Sequence, residues 1–238
     1  MTKTTQVKPI QNARIAGILY LLMMPLGIFG ILYVPSRLID LGDLALTASN
    51  IIANQSLFRL SIVSAFSVQL LQIFVVLALY RVLEPVNKNL ALLMLIFILL
   101  AVPLAMLNEL NHFAILHLLN GAVHATPSTF DQILVSMSLF LGLHETGIFI
   151  AQIFWGLWLL PMGYLVYKSN YIPKFIGVLL MIGCFGYLFD SFIFFLLPDF
   201  GLTVSDFTFV GELLLPLWLI IKGVDVVEYE KHIHESAQ

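Results

Sequence analysis

Charge is what this chain has least of: 11% of its 238 residues are Asp, Glu, Lys or Arg, against 60% hydrophobic residues. A water-soluble domain carries about 25% charged residues, so this composition excludes water as the main solvent. Cysteine is nearly absent as well. Cys184 stands alone in an apolar run, which excludes both an intrachain disulfide and a cysteine metal centre. The net charge of -3, drawn largely from Asp225, Glu228, Glu230 and Glu235 in the tail, leaves no basic surface for nucleic acid. Also missing are a phosphate-cradling Gly-Lys loop, a dinucleotide glycine fingerprint and a Gly-x-Ser-x-Gly elbow. No cofactor is therefore expected, and Ser64, Ser67, Ser136 and Ser138 read as packing or hydrogen-bonding residues.

What the chain does have is hydrophobic length. Apolar runs extend over about Ala13 to Val34, Leu57 to Tyr80, Leu90 to His112 or beyond, Glu145 to Tyr167, Ile172 to Leu197 and Ser205 to Ile221. A helix of about 20 apolar residues crosses about 30 Å of hydrocarbon while satisfying its own backbone, so these runs predict an all-α bundle of six transmembrane helices. The first run is too long for a signal-peptide core and is expected to be a retained anchor. Lys3, Lys8, Arg14, Arg81, Lys88, Lys168, Lys174, Lys222 and Lys231 all flank one side of this pattern, and only Arg37 and Arg59 flank the other. Cationic residues near span ends stay in the cytoplasm, so both termini are expected inside, with short tails at about 1–12 and 223–238 on a single membrane domain, 1–238. The lipid bilayer is the first partner this implies.

Two connections are longer than turns. Between spans one and two, Asp43 can cap a short helix in which Leu44, Ala48, Ile51 and Ile52 share a face, predicting an interfacial helix on the outer side. Ser128 and Asp131 after Pro127 form a capping-box-like start, with Gly142 as a candidate break before the fourth span.

Several stretches carry a family likeness: Ala13-Arg14-Ile15-Ala16-Gly17-Ile18-Leu19-Tyr20, Ser56-Leu57-Phe58-Arg59-Leu60, Trp155-Gly156-Leu157-Trp158-Leu159-Leu160-Pro161-Met162-Gly163-Tyr164, Ile172-Pro173-Lys174, Gly186-Tyr187-Leu188-Phe189-Asp190 and Gly211-Glu212-Leu213-Leu214-Leu215-Pro216-Leu217-Trp218. In these the chain resembles the multi-pass bacterial membrane proteins grouped as domain of unknown function 4386. The resemblance implies an inner-membrane protein and brings no activity with it.

Function must then be sought in polar residues placed where lipid is expected. An ionisable side chain at the centre of a span costs about 2.5–3.5 kcal/mol to insert, so each needs a partner, a wet cavity or a task. Counted by helical rise, Glu109 and Asp190 fall in the outer third, Arg59, His144 and Glu145 near the outer boundary, and Gln69, Gln152 and Glu212 nearer mid-membrane. The inner half is apolar apart from Gln72. This distribution predicts an outward-facing polar pocket for a small ligand or proton, built from Arg59, His144, Asp190, Glu212, Gln69 and Gln152. Glu109 and His112, three apart on one helical face, together with His144 and Glu145, form a second constellation with metal-ligand character. It supports an alternative reading as an intramembrane, metal-assisted enzyme. A structural or partner-binding membrane subunit is a third.

Overall fold

The computed structural model describes residues 3–122, 126–197 and 200–236, so the outermost residues of both expected tails lie outside the described residues. Among the described residues every regular element is a helix. Helix α1 (Lys3–Gly27) passes into a π-helical segment, Ile28–Tyr33, and then α2 (Val34–Leu38). Pro35 at the start of α2 is the local reason. Without an N–H it cannot bond to the carbonyl four residues earlier, and a π-bulge is one way to absorb that missing rung. Next come α3 (Leu44–Ala53), α4 (Gln55–Leu83), α5 (Lys88–Asn108) and α6 (Leu110–Ala122). They are followed by α7 (Pro127–Leu157), α8 (Leu159–Ser169), α9 (Lys174–Leu196), α10 (Ser205–Thr208), α11 (Val210–Ile221) and α12 (Val226–Ser236).

Among the described residues, five stretches are long and apolar enough to cross a membrane: Pro9–Leu38, Gln55–Leu83, Lys88–Gly121, Pro127–Ser169 and Lys174–Leu196. They expose large apolar side chains such as Leu32, Phe74, Leu107, Val135 and Phe185, a surface suited to hydrocarbon. The run expected over Ser205 to Ile221 is interrupted at Phe209, and the longer piece, α11, has 12 residues, or about 18 Å of rise. The fourth run is longer than expected because α7 begins at Pro127 and continues unbroken through Gly142. Its start is capped by Thr126, whose Oγ1 accepts from the Thr129 amide at 3.4 Å, in place of the expected Ser128. The short helix expected between the first two spans forms as α3, with Asp43 Oδ1 accepting from the Leu46 amide at 2.8 Å.

The fold divides into two compact units, with boundaries inside α1, α4, α5 and α7. One comprises Met1–Leu22, Leu71–Val102 and Phe149–Gln238. Its tightest packing is between α8 and α9, where a Cβ built on Gly163 would lie 2.6 Å from the Gly177 carbonyl oxygen and one on Gly177 would lie 2.5 Å from that of Gly163. Only glycine admits backbones this close. The tail packs back here: Tyr229 donates to the Arg81 carbonyl at 3.2 Å and Tyr171 to the Val82 carbonyl at 2.6 Å, satisfying the exposed end of α4.

The other unit, Met23–Leu70 and Pro103–Ile148, has a core of Val34, Leu38, Ala48, Ile51, Phe58, Ile62, Ile115, Leu119 and Met137. Gly30 of the π-helical segment rests on α4, with its Cβ position 2.9 Å from the Ser61 carbonyl oxygen. Ser64 Oγ donates to the Leu26 carbonyl at 2.8 Å, giving an acceptor disturbed by the π register a new partner.

Candidate metal centre

The second unit holds the most concentrated polar chemistry. Helices α5 and α6 are separated by one residue, Glu109, so its carboxyl stands at a break in an otherwise apolar stretch. Glu109 and His112 are each only 5% exposed. Glu109 Oε2 lies 2.9 Å from His112 Nδ1, and Oε1 lies 3.3 Å from His144 Nε2 of α7. The two imidazoles stack with centroids 3.6 Å apart, and the ring of Phe58 meets His112 edge-on at 5.1 Å. One donor atom from each of Glu109, His112 and His144 lies within 4.8 Å of the others.

Neighbouring amides hold the set. Asn108 Nδ2 donates to the His144 carbonyl at 2.8 Å, tying α5 to the turn of α7 that carries the second imidazole. Asn111 Nδ2 donates to Asn108 Oδ1 at 3.0 Å, which fixes which way the Asn108 amide points. Gly147, one turn along α7 from His144, leaves the space that the Asn108 side chain fills; a Cβ there would collide with Asn108 Oδ1. The second amide pair escaped the sequence reading, although Asn108 and Asn111 alternate with Glu109 and His112 in an apolar surround and could have been read from that run.

The donor set fits a borderline divalent ion. Ligand bonds of about 2.0–2.2 Å in a tetrahedron put ligand atoms about 3.4 Å apart, close to the separations that already exist between the carboxylate and the two imidazoles. Two neutral imidazoles with one carboxylate carry net charge -1 in apolar surroundings, and a divalent cation would compensate it. Three protein ligands also leave a fourth position free.

The other residues singled out by sequence are distributed over both units. In this unit, Glu145 is exposed and stands outside the cluster despite adjoining His144. Arg59 is exposed and makes no ion pair among the described residues. Gln69 is buried, and its Oε1 has no hydrogen-bond partner among the described residues.

In the first unit, Asp190 is a cap: its two carboxylate oxygens accept from the Val204 and Ser205 amides at 2.7 and 2.8 Å, anchoring the start of α10. Gln152 Nε2 donates to the Tyr187 carbonyl at 3.3 Å. Glu212 Oε2 accepts from the Tyr20 hydroxyl at 2.9 Å, and the Tyr187 hydroxyl interacts with the same carboxyl. Its Oε1 is shut off from solvent and has no hydrogen-bond partner among the described residues. Glu212 thus meets phenols; Tyr20 and Tyr187 sit among apolar neighbours in sequence and gave no separate signal of that role.

Comparison with known proteins adds no activity. An uncharacterized protein of Archaeoglobus fulgidus is 32% identical over 163 residues, covering 68% of this chain and 83% of that protein. That relative is archaeal. No solved structure matches the chain. The family described as "Domain of unknown function (DUF4386)" matches residues 15–223, and the chain belongs to it.

Proposed function

We propose that this protein is a six-span membrane protein with both termini on the cytoplasmic side, and that it binds one divalent transition-metal ion through Glu109, His112 and His144, leaving an open coordination position for a small ligand. The observation that carries the metal reading is the meeting of a buried carboxylate and two stacked imidazoles from sequence positions 35 apart at a helix break. Broken helices at membrane depth are tolerated where they serve a site, because the backbone groups they free must be satisfied. The sixth span combines α10 and α11, which together cover Ser205 to Ile221, about 26 Å of rise across 17 residues. The orientation rests on the nine cationic residues flanking one side.

A carboxylate and two imidazoles are a ligand set that suits zinc and its neighbours, and a fourth position open to water or an oxygen donor is what distinguishes a working site from a closed structural one. The small-ligand pocket anticipated from sequence is thereby narrowed to the free position on an ion. The test is the metal content of the full-length protein, purified in detergent after zinc supplementation and extensive dialysis. Wild type should retain close to one ion per chain, and His112→Ala, His144→Ala and Glu109→Gln should each lose it. Exposed Glu145→Gln should keep it. A metal-free wild type that also fails to take up zinc on titration would overturn the reading, as would full retention in the His112→Ala/His144→Ala double variant.

A further inference from the structure

The Glu212 carboxyl, in the first unit, takes no part in the metal reading. It stands in the first turn of α11, a helix packed closely on both α1 and α9. A Cβ built on Gly17 would lie 2.8 Å from the Pro216 carbonyl oxygen, and one on Gly211 would lie 2.7 Å from the Leu180 amide nitrogen. Oε2 accepts from the Tyr20 hydroxyl at 2.9 Å, and the Tyr20 ring rests against Trp158 with centroids 5.8 Å apart. Oε1 has neither a donor among the described residues nor contact with solvent. The titratable groups facing the carboxyl are Tyr20 of α1 and Tyr187 of α9. Tyr187 in turn interacts with Asp190 and with Asp206 of α10. Glu212 makes no ion pair among the described residues.

As a carboxylate, Glu212 would therefore be a charge without a counter-charge. Taking such an ion out of water costs several kcal/mol, whereas a helix N-terminus stabilises it by about 0.3–1 kcal/mol and a hydrogen bond to a charged group by about 1.5–3 kcal/mol. A cation has to balance the remainder. A metal ion does not fit, because Oε1 has no accessible surface at which one could stand. A hard cation such as calcium also needs about six to eight oxygen ligands, more than one carboxyl and two phenols offer. A proton needs no such room, since it is bonded to the carboxyl oxygen itself.

We infer that Glu212 is a reversible proton-binding site, in which Oε1 takes up and releases the proton while Tyr20 holds Oε2. Uptake turns a carboxylate and a hydronium ion into a neutral carboxylic acid and water. One O–H bond forms at Oε1, and nothing is oxidised or reduced. Loss of water favours the neutral form, whereas the positive end of α11 and the Tyr20 phenol favour the anion. That opposition is what lets the proton leave again. Asp206 is exposed, so the polar way from the carboxyl to the surface of the unit runs past Tyr187 toward α10.

The experiment is infrared difference spectroscopy on the full-length protein in detergent, stepped from about pH 6 to about pH 9. Exposed carboxyls are already ionised at the lower value, so a carboxylic-acid C=O band there reports a buried acid. Wild type should show such a band, downshifted in D2O and lost at the upper pH, and Glu212→Gln should lack it. Tyr20→Phe should keep the band but move it to higher wavenumber, because the carbonyl oxygen loses the hydrogen bond it accepts. A purely structural role for Tyr20 would leave the band in place. Should Glu212→Gln not fold, the Tyr20→Phe band decides alone. The inference is overturned by the absence of a carboxylic-acid band in wild type, by the same band in Glu212→Gln, or by a band that Tyr20→Phe does not move. A band undiminished at the upper pH would overturn it too, since that marks a fixed acid that exchanges no proton.

Discussion

Asn108 matters as much to the cluster as the ligands do, because it sets where the second imidazole stands. Its amide holds the His144 carbonyl and is itself oriented by Asn111. Outer-shell partners of this kind tune metal affinity by about 10–100-fold, so Asn108→Ala should weaken zinc binding by that factor in a chelator-competition titration while the protein remains folded. Gly147→Ala should act in the same direction by displacing the Asn108 side chain. Metal-ligand spacing at Glu109 and His112 was legible in sequence because i and i+3 share a helical face. His144 and Glu145 were grouped with them by residue type; that His144 reaches Glu109 while Glu145 stays outside depends on how α7 packs, which periodicity does not encode. Tyr171 gives a second prediction at this scale. Burial, and to a lesser degree Tyr229, push its phenol above the ordinary value near 10. The folded state therefore holds this proton more tightly than the unfolded one, so its contribution is complete below about pH 10 and is lost as pH rises beyond it. Thermal midpoints measured at pH 8 and pH 11 should fall more for wild type than for Tyr171→Phe.

Among the elements, the short helix α3 was the most legible, since a capping Asp43 followed by an i, i+4, i+7 apolar face specifies both its start and its buried side. Ala48 and Ile51 are indeed fully buried in the core beneath it. Asp43→Ala should cost about 1 kcal/mol in detergent-unfolding experiments. The helix breaks were harder to read. Pro35 is a visible cause for the π-helical segment, whereas the interruption at Glu109 has no proline at its position, and Gly142, the expected break, lies inside an unbroken α7. Glycine breaks a helix only where the packing asks for it, and nothing lies within 4 Å of a Cβ at Gly142. The same data separate two classes of glycine. Gly142→Ala should stabilise by up to about 1 kcal/mol through helix propensity. Gly177→Ala should destabilise by about 1–3 kcal/mol, because it forces α8 and α9 apart.

For the whole molecule, long apolar runs in a weakly charged chain were enough to specify helices able to cross a membrane, because lipid leaves so few ways to satisfy a backbone. Length bounded the spans less well. Long helices such as α4 overrun the apolar run that marks them, and the last run is split at Phe209. Cationic residues supply what length does not. If both termini face inward, a fluorescent-protein fusion at the C-terminus should fluoresce and an alkaline phosphatase fusion there should be inactive; the opposite pattern would remove one span from the count. Counting depth along a span places a polar residue without naming its partner. Asp190 accepts from two amides at the start of α10 and Glu212 accepts from the Tyr20 phenol through one oxygen, partners that depth along a span does not identify. The measurement that bears most directly on the metal centre is X-ray absorption at the zinc edge of the loaded full-length protein. The account predicts two imidazole nitrogens at about 2.0–2.1 Å with oxygen donors completing a four-coordinate shell, and loss of the imidazole signature in His112→Ala/His144→Ala. An all-oxygen shell, or an imidazole signature unchanged in that double variant, would contradict it.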